Sequence, residues 1–305
     1  MLKELGHAAL DRAGGLRAVR FLNRRSLRIL MFHSFLPRRA GLEECLARRC
    51  RHLRQFYRPV SLSEAAQAWR EGRPLPANAV AVTVDDGYRD FYDIAYPVFR
   101  AHEIPAIVYL VTDFMDGKLW LWPDRLRYAL EHAGPRAAVH ARDLAAETKS
   151  MPDRERRRFM DGLLELLDVR IPASPPEEYA PLTWDSVREM AAHGIEFGAH
   201  SATHPILSRV EGDAELRAEI EGSKLRIEQE LGRPVRHFCY PNGRPEDIGE
   251  RVVACVRSAG FETAVVTTEG FNRAGADPFL LKRIPADPDY TDRFFAEYVA
   301  GLRAR

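Results

Sequence analysis

A chain of 305 residues can form one large α/β domain or two small ones. Its hydrophobic fraction of 46% is ordinary for a soluble globular protein. Its net charge of +1 gives no overall attraction to nucleic acid, so no nucleic-acid partner is expected. No apolar run approaches the roughly 20 residues of a membrane-spanning helix, and no apolar signal-peptide segment follows Lys3. The four cysteines form no CxxC pair. Together these features predict a cytoplasmic protein with reduced thiols.

Residues 1–26 differ from the rest of the chain in charge. Within residues 1–28, seven basic residues stand against two acidic ones, with leucine, valine and phenylalanine interleaved. One interpretation is a basic amphipathic segment that rests on an anionic membrane surface, which would make the protein peripherally membrane-associated. The other is a solvated helix packed on the domain, and the sequence leaves both open.

From residue 27 onward, short apolar runs alternate with segments of helical periodicity. The predicted strands are Leu27–His33, Ala79–Val84, Ile104–Val111, Ile195–Ala199, Val235–Tyr240, Thr263–Thr267 and Phe279–Ile284. The predicted helices are Leu42–Phe56, Glu64–Arg70, Asp90–His102, Ser186–His193, Glu215–Leu231, Asp247–Ala259 and one that begins at Thr291. This alternation predicts a parallel sheet covered by helices, and roughly seven strands favour a closed barrel over an open sheet.

Residues 118–180 interrupt the alternation. They contain two tryptophans, the charged run Asp153–Arg158 and several prolines, with a leucine-rich helix predicted around Leu163–Leu167. We interpret this region as an insertion or lid within a single domain of residues 27–305, and not as a separate domain.

Two adjacent aspartates stand where a predicted strand ends. In a barrel of this kind the chemistry collects at the carboxyl ends of the strands. Gly87 permits a sharp turn directly after Asp85 and Asp86, so both carboxylates can converge on one site. Taken alone, an Asp-Asp-Gly sequence is more often a turn than a catalytic site.

His200 and His204 follow another predicted strand and lie in a loop between a glycine and a proline. Such a pair is a weak signal by itself. Together with Asp86 it supplies three ligands and leaves coordination positions open, which suits a catalytic zinc, although iron, cobalt or nickel would also fit. Asp85 would then remain beside the metal as a base that accepts a proton from metal-bound water.

Three motifs together resemble a known family. They are Thr83-Val84-Asp85-Asp86-Gly87-Tyr88, His200-Ser201-Ala202-Thr203-His204-Pro205 and Phe238-Cys239-Tyr240-Pro241-Asn242-Gly243. On these motifs the chain resembles the polysaccharide deacetylases of the NodB-homology group, carbohydrate esterase family 4, and in particular the exopolysaccharide-type members. The resemblance implies an α/β fold of the distorted (β/α)7 barrel type, here with a helical insertion.

The resemblance also implies roles for particular residues. Asp85 is implied as the catalytic base, and Asp86, His200 and His204 as ligands of one divalent metal, zinc in the first place, with cobalt and nickel as alternatives. The backbone N–H of Asn242 is implied as a donor to the oxyanion, a role that tolerates a change of side chain.

Two departures from the family pattern concern the surroundings of the base. Many members carry an arginine where this chain has Cys239, and the strand order predicts that Arg283 reaches Asp85 instead. Many also have a late Leu-x-His motif whose histidine serves as the acid, and residues Leu280–Ile284 contain no histidine. We therefore expect His33 to be the acid, the alternative being a packed, hydrogen-bonded residue.

Aromatic residues near the motifs are candidates for a sugar-binding platform, since sugar C–H faces pack on aromatic rings. They are Tyr88, Tyr240, Trp120 and Trp122, with Arg283 also counted among the residues around the substrate. Most aromatic residues of any domain belong to the core, so for the two tryptophans both interpretations stay open.

The combined hypothesis is a metal-dependent hydrolase that removes N-acetyl groups from an acetylated amino-sugar glycan or a glycan intermediate, such as a lipid-linked one. The alternatives are an O-deacetylase and a non-catalytic glycan-binding relative, the latter because the usual arginine and late histidine are absent. A glycosidase is disfavoured, because its two carboxylates lie ~5–9.5 Å apart across a cleft, whereas Asp85 and Asp86 are neighbours in sequence.

Overall fold

The computed structural model describes residues 15–36, 40–133 and 141–303, with the backbone alone for residues 141–143 and 145. Residues 1–14 of the predicted basic segment therefore lie outside the described residues.

All strands of the structure are parallel and form one sheet. They are β1 (Arg28–Phe32), β2 (Arg58–Pro59), β3 (Ala79–Val84), β4 (Ala106–Leu110), β5 (Glu196–Ala199), β6 (His237–Cys239), β7 (Thr263–Glu269) and β8 (Leu281–Pro285). Seven of them close into a barrel, because β1 pairs with β8 on one side and with β3 on the other. The two-residue β2 is attached to β3. The predicted (β/α)7-type barrel is confirmed.

Helices cover the outside of the barrel. They are α1 (Gly15–Leu22), α2 (Leu42–Phe56), α3 (Leu62–Arg70), α4 (Tyr96–Ala101), α5 (Thr112–Met115), α6 (Trp122–His132), α7 (Ala141–Ser150), α8 (Asp153–Leu166), α9 (Trp184–Ala192), α10 (Asp213–Leu231), α11 (Pro245–Ser258) and α12 (Asp292–Ala300). Ser61 begins α3 with a capping box, since its hydroxyl accepts from the Glu64 N–H and the Glu64 carboxylate accepts from the Ser61 N–H.

The predicted helix Asp90–His102 is not a single α-helix. A π-helical turn, Phe91–Ala95, precedes α4. Pro97 gives a physical reason, because proline has no N–H to donate and its ring would collide with the carbonyl of Asp93 in a regular α-helix. A wider turn before the proline avoids that collision.

Strand alternation determines which side chains enter the barrel. Ala79 and Ala81 of β3 belong to the apolar cluster inside the ring, as does Leu281 of β8. Val80, Val82 and Val84 of β3 and Ile284 of β8 join the cluster between the ring and the helices, while Lys282 is exposed. Because Asp85 and Arg283 continue the inward series, both side chains enter the barrel near its carboxyl end.

The inserted region 118–180 carries α6, α7 and α8. Leu126 and Leu130 of α6 pack against Met160 and Leu163 of α8 in a small apolar cluster of their own. Arg154 of α8 forms a salt bridge with Glu215 near the start of α10, outside the insertion. The interpretation of the region as a lid stays a prediction.

Helix α1 lies at the opposite end of the barrel from the predicted site. It precedes β1, and Arg20 stacks on Phe56 at the end of α2, with 4.5 Å from its guanidinium carbon to the ring centroid. Phe21 and Leu22 are 58% and 73% exposed. Among the described helices, none has the length and apolar character needed to cross a bilayer. The four cysteines are unpaired.

Candidate active site

The turn after β3 brings the two aspartates to one place by a change of backbone conformation. Asp85 still donates its N–H to the Phe32 carbonyl and so continues the ladder between β3 and β1. Asp86 then adopts φ +73° and Gly87 φ +79°. The sequence predicted a sharp turn at Gly87. In the structure the turn begins one residue earlier, at Asp86, which reverses the chain and aims Asp86 back toward the barrel mouth.

Left-handed backbone is concentrated in the three motifs. Seven non-glycine residues of the described chain have positive φ, and four of them are Asp86, Ser201, His204 and Asn242. Such conformations are costly for residues with a Cβ and persist where the surroundings over-determine them, often at functional sites. The motifs therefore hold unfavourable turns in order to aim particular side chains and backbone groups.

Asp86, His200 and His204 converge on one point. Oδ1 of Asp86 lies 3.3 Å from Nε2 of His200 and 3.4 Å from Nε2 of His204. This oxygen is buried and has no hydrogen-bond partner within the described chain, and the three candidate ligand atoms lie within 4.8 Å of one another. An orphaned buried carboxylate oxygen beside two imidazole nitrogens is the donor set that a divalent metal needs.

The orientation of His200 supports the same conclusion. Its Nδ1 lies 2.7 Å from the carbonyl oxygen of Cys239. Because a carbonyl can only accept, Nδ1 carries the hydrogen and Nε2 keeps its lone pair for a metal.

A second group of potential ligands, Asp85, His200 and Cys239, is less suitable for a metal. Both oxygens of Asp85 are already engaged by Arg283. Burial raises the pKa of the Cys239 thiol, which opposes the thiolate form that binds metals. The structure therefore favours the set with Asp86.

Arg283 holds Asp85 in a bidentate pair. Nη1 donates to Oδ1 at 2.6 Å and Nη2 donates to Oδ2 at 2.8 Å, while Nε donates to the Val266 carbonyl. Both side chains are almost completely buried. Burial alone would raise the pKa of Asp85, but the guanidinium holds it below its usual range, so Asp85 is ionised at neutral pH. The predicted reach of Arg283 to Asp85 is confirmed.

Cys239 makes room for this arrangement. Its Sγ lies 3.4 Å from Nη2 of Arg283, so the position where many relatives carry an arginine faces the guanidinium of Arg283. A long side chain at position 239 would compete with Arg283 for the same space. The chain supplies the positive charge from β8 instead of β6.

His33 stands beside the base at the end of β1. Its Nε2 lies 3.5 Å from Oδ2 of Asp85, and its side chain is 49% exposed. A half-exposed imidazole at the mouth of the site can contact a substrate, unlike a fully packed one. His33 also lines a cavity of about 320 Å³ together with Asp287 and Tyr290.

Asn242 presents its backbone to the same region. With φ +59° it lies in the left-handed region, and within the described chain its N–H has no backbone or side-chain acceptor. Its side chain donates to Asp247, and its carbonyl accepts from the Thr267 hydroxyl at 3.0 Å. Side chain and carbonyl are thus fixed while the N–H stays available for a developing oxyanion.

The four aromatic candidates for a sugar platform are at most 9% exposed. Tyr88 donates to Oδ2 of Asp124 at 2.6 Å, and Trp120 stacks on Tyr179. Tyr240 is packed against Phe238. Because they are buried, none of them offers an open face to a sugar in this conformation. The sequence could not show this, since residue type alone does not fix the direction in which an aromatic side chain points.

Trp122 has a supporting contact that the sequence did not indicate. Its Nε1 donates to the carbonyl of His204 at 3.0 Å, and the guanidinium carbon of Arg156 lies 4.8 Å from the centroid of its ring. The inserted region thereby holds the backbone of the second histidine.

Glu219 is the main residue that sequence reasoning missed. This buried carboxylate on α10 accepts from the N–H groups of Ala202 and Thr203 and from the Thr203 hydroxyl, at 2.6–3.0 Å. It therefore fixes the loop that carries both histidines. The sequence feature that could have indicated Glu219 is its place next to Ile220, on the apolar face of a predicted helix, where a carboxylate is unexpected.

We expect Glu219→Gln to weaken metal binding by roughly 10- to 100-fold, because the amide would place a donor against backbone N–H groups and loosen the histidine loop. Glu221→Gln, on the same helix, is the matched control and should bind metal as the wild type does. Competition with a chromophoric chelator measures both affinities. Equal affinities for the two variants would contradict the supporting role of Glu219.

The fold and the site together define an enzyme of the parallel-barrel type, with an acidic pair and a histidine pair at the carboxyl ends of its strands. The family described as polysaccharide deacetylase matches residues 72–264. The chain belongs to this family of hydrolases, and the predicted membership is confirmed.

Individual relatives and solved structures are similar to this chain. A 60-residue segment is 42% identical to the poly-beta-1,6-N-acetyl-D-glucosamine N-deacetylase of Escherichia coli K12 and spans 20% of this chain but only 9% of that protein. The fold is similar to IcaB from Ammonifex degensii, with a TM-score of 0.63, 20% identity and coverage of 91% of this chain and 98% of that chain. It is also similar to the deacetylase PplD of Streptococcus pyogenes, with a TM-score of 0.62, 18% identity and coverage of 90% of this chain and 99% of that chain.

Proposed function

We propose that this protein is a metal-dependent N-deacetylase acting on an amino-sugar glycan. The observation that carries the proposal is the convergence of Asp86, His200 and His204 next to an ionised, arginine-held Asp85. Three potential ligands beside one ionised carboxylate outside the ligand set supply what amide hydrolysis requires: a site for an electrophilic ion and a group that takes up a proton.

Asp86, His200 and His204 are the residues that would hold the ion. When bound, a divalent metal would polarise the acetyl carbonyl and lower the pKa of a water beside it. Zinc suits two imidazoles and one carboxylate, and cobalt and nickel accept the same donors.

The remaining steps belong to this chain's own groups. Asp85 accepts the proton of the attacking water, and Arg283 keeps the carboxylate ionised and oriented. The Asn242 N–H donates to the oxyanion that forms from the acetyl oxygen. His33, half-exposed beside Asp85, donates a proton to the sugar nitrogen as the C–N bond breaks, which releases acetate and a free amine.

Non-catalytic glycan binding loses its main argument in this structure. That alternative rested on the missing arginine at position 239 and the missing late histidine. Arg283 meets Asp85 in the bidentate geometry that such an arginine would provide, and His33 lies within reach of the same carboxylate. These two contacts support hydrolysis over binding alone.

A glycan chain is the substrate class that we favour over a lipid-linked sugar. Helix α1 lies at the amino end of β1, whereas His33 and Asp85 lie at the carboxyl ends of their strands. A membrane surface bound by Phe21, Leu22 and their neighbouring arginines would face away from the site. The E. coli relative is named for a β-1,6-linked N-acetylglucosamine polymer, which makes oligomers of that linkage the first substrates to assay.

Acetate release tests the proposal directly. The protein is treated with a chelator, dialysed, and assayed with zinc, cobalt or nickel on β-1,6-linked N-acetylglucosamine oligomers and on nucleotide-linked and lipid-linked acetylated sugars. We expect activity to disappear with the metal and to return when it is added. Acetate release that does not depend on metal, or none from any acetylated sugar, would contradict the proposal.

A further inference from the structure

A second cavity, which we call the acidic cavity, lies beside the catalytic site. It has a volume of about 580 Å³, and its lining includes Ser34, Asp90, Glu131, Glu177, Glu178 and Tyr179. This is the size of pocket that proteins use for small ligands. The mechanism described above uses none of these residues.

The acidic cavity is connected to the catalytic centre through neighbouring residues. Ser34 follows His33, whose Nε2 lies 3.5 Å from Asp85, and the Ser34 hydroxyl donates to Oδ2 of Asp90 at 2.5 Å. A second connection passes through Arg127 in the cavity wall, because Asp124 accepts hydrogen bonds from both Arg127 and Tyr88. A sugar next to the one being deacetylated would therefore meet this cavity.

The described lining is negatively charged after its internal pairs are considered. Its two arginines are already engaged, since Arg89 pairs with Asp93 at 3.0 Å and Arg127 pairs with Asp124 at 2.9 Å. Glu177 and Glu178, at the start of a short 3₁₀ turn, form no ion pair with the described residues. Glu131, which accepts a hydrogen bond from the Tyr179 hydroxyl, forms no ion pair with the described residues either, so the described wall offers three glutamates without a counter-charge.

Asp90 adds an independent observation at the inner wall. Asp90 is only 5% exposed. Oδ2 accepts from the Ser34 hydroxyl and the Phe35 N–H, whereas Oδ1 has no partner within the described chain. A buried carboxylate oxygen without a donor is costly, and a cationic ligand in the cavity would supply the missing charge and donor.

We propose that the acidic cavity binds an amino sugar that has already lost its acetyl group. This inference rests on the proposed deacetylase function, because each turnover converts a neutral acetamide into an amine that is protonated at neutral pH. A chain that carries one such ammonium group would then be held with its next acetylated sugar at Asp85. The protein would prefer partly deacetylated glycan over fully acetylated glycan.

Two substrates test this preference. One is a fully acetylated β-1,6-linked N-acetylglucosamine pentamer, and the other is the same pentamer with one glucosamine. We expect kcat/KM of the zinc-loaded protein to be about five to ten times higher for the second, the gain available from two exposed ion pairs. Raising the salt concentration should reduce the ratio, because screening weakens such pairs.

A double variant locates the effect. In Glu177→Gln with Glu178→Gln, the ratio of the two kcat/KM values should fall toward one. Glu165→Gln, an exposed glutamate on α8, is the control and should keep the wild-type ratio. Calorimetric titration with a fully deacetylated glucosamine tetramer adds a measurement that does not depend on turnover, and the double variant should bind the tetramer about fivefold or more weakly.

The outcomes separate this inference from the proposed function. If neither pentamer releases acetate, the deacetylase function fails. If both are hydrolysed with equal kcat/KM at low salt, and the tetramer binds wild type and double variant alike, the function stands and the acidic cavity is not a site for cationic sugar.

Discussion

Asp85→Asn should retain its metal and lose about 10²- to 10⁴-fold in kcat, the range expected for removal of a general base. Asparagine has nearly the same size as aspartate and can still accept one hydrogen bond from Arg283, so the buried site keeps its shape. It cannot take up the proton of the attacking water. The three residues that would hold the metal are untouched, and metal content measured on the purified variant should equal that of the wild type.

Asp86→Ala provides the contrast that makes this result specific. It removes one of three ligands and the orphaned oxygen on which His200 and His204 converge. Both metal and activity should be lost. Wild-type turnover by Asp85→Asn, or unchanged metal content in Asp86→Ala, would show that the two carboxylates do not have the roles assigned to them.

Much of the framework around these residues followed from local sequence pattern. The strand Ala79–Val84 and the helix Leu42–Phe56 were predicted with their observed bounds. A continuous run of small apolar residues suits a strand that is buried on both faces, and a helix with one apolar face has a clear period. The same alternation places Asp85 and Arg283 inside the barrel. Their contact could therefore be predicted from the strand order and from which alternate residues face inward.

The supporting contacts could not be predicted in this way. Glu219 lies on a helix whose apolar face was recognised, but the pattern does not tell which loop a helix packs against. Trp122 was considered as part of a sugar platform, whereas its indole N–H holds the His204 carbonyl. The π-turn before Tyr96 depends on a local collision at Pro97, which periodicity does not reveal. Contacts between distant elements depend on the packing of the whole domain.

Removing the charge of Arg283 should have the second large effect. In Arg283→Met, Asp85 would lose both hydrogen bonds and its only close guanidinium partner among the described residues. We expect kcat to fall by roughly 10²-fold or more, since a carboxylate that is no longer oriented is a poor base. KM should change less, because Arg283 is completely buried behind Asp85 and does not face solvent.

Two further variants distinguish positioning from stability. Arg283→Lys keeps a positive charge but cannot make the bidentate pair, so it should fold well and still lose much of kcat. Lys282→Met changes the neighbouring exposed residue, which points away from the barrel interior, and should behave as the wild type. Circular dichroism and metal content identify any variant whose loss of activity comes from unfolding.

The double variant Cys239→Arg with Arg283→Met is the most informative of this series. The Cys239 thiol lies 3.4 Å from Nη2 of Arg283, so an arginine entering from β6 would extend into the space that the Met substitution vacates. If Asp85 needs a guanidinium and not one particular strand to supply it, the double variant should recover at least about tenfold in kcat over Arg283→Met, or ~1.4 kcal/mol of transition-state stabilisation. A purely structural role for Arg283 predicts no such recovery, because a second change in a packed barrel interior would add to the damage. Steady-state kinetics on one acetylated oligomer, measured for all four variants at equal metal loading, decides between the two.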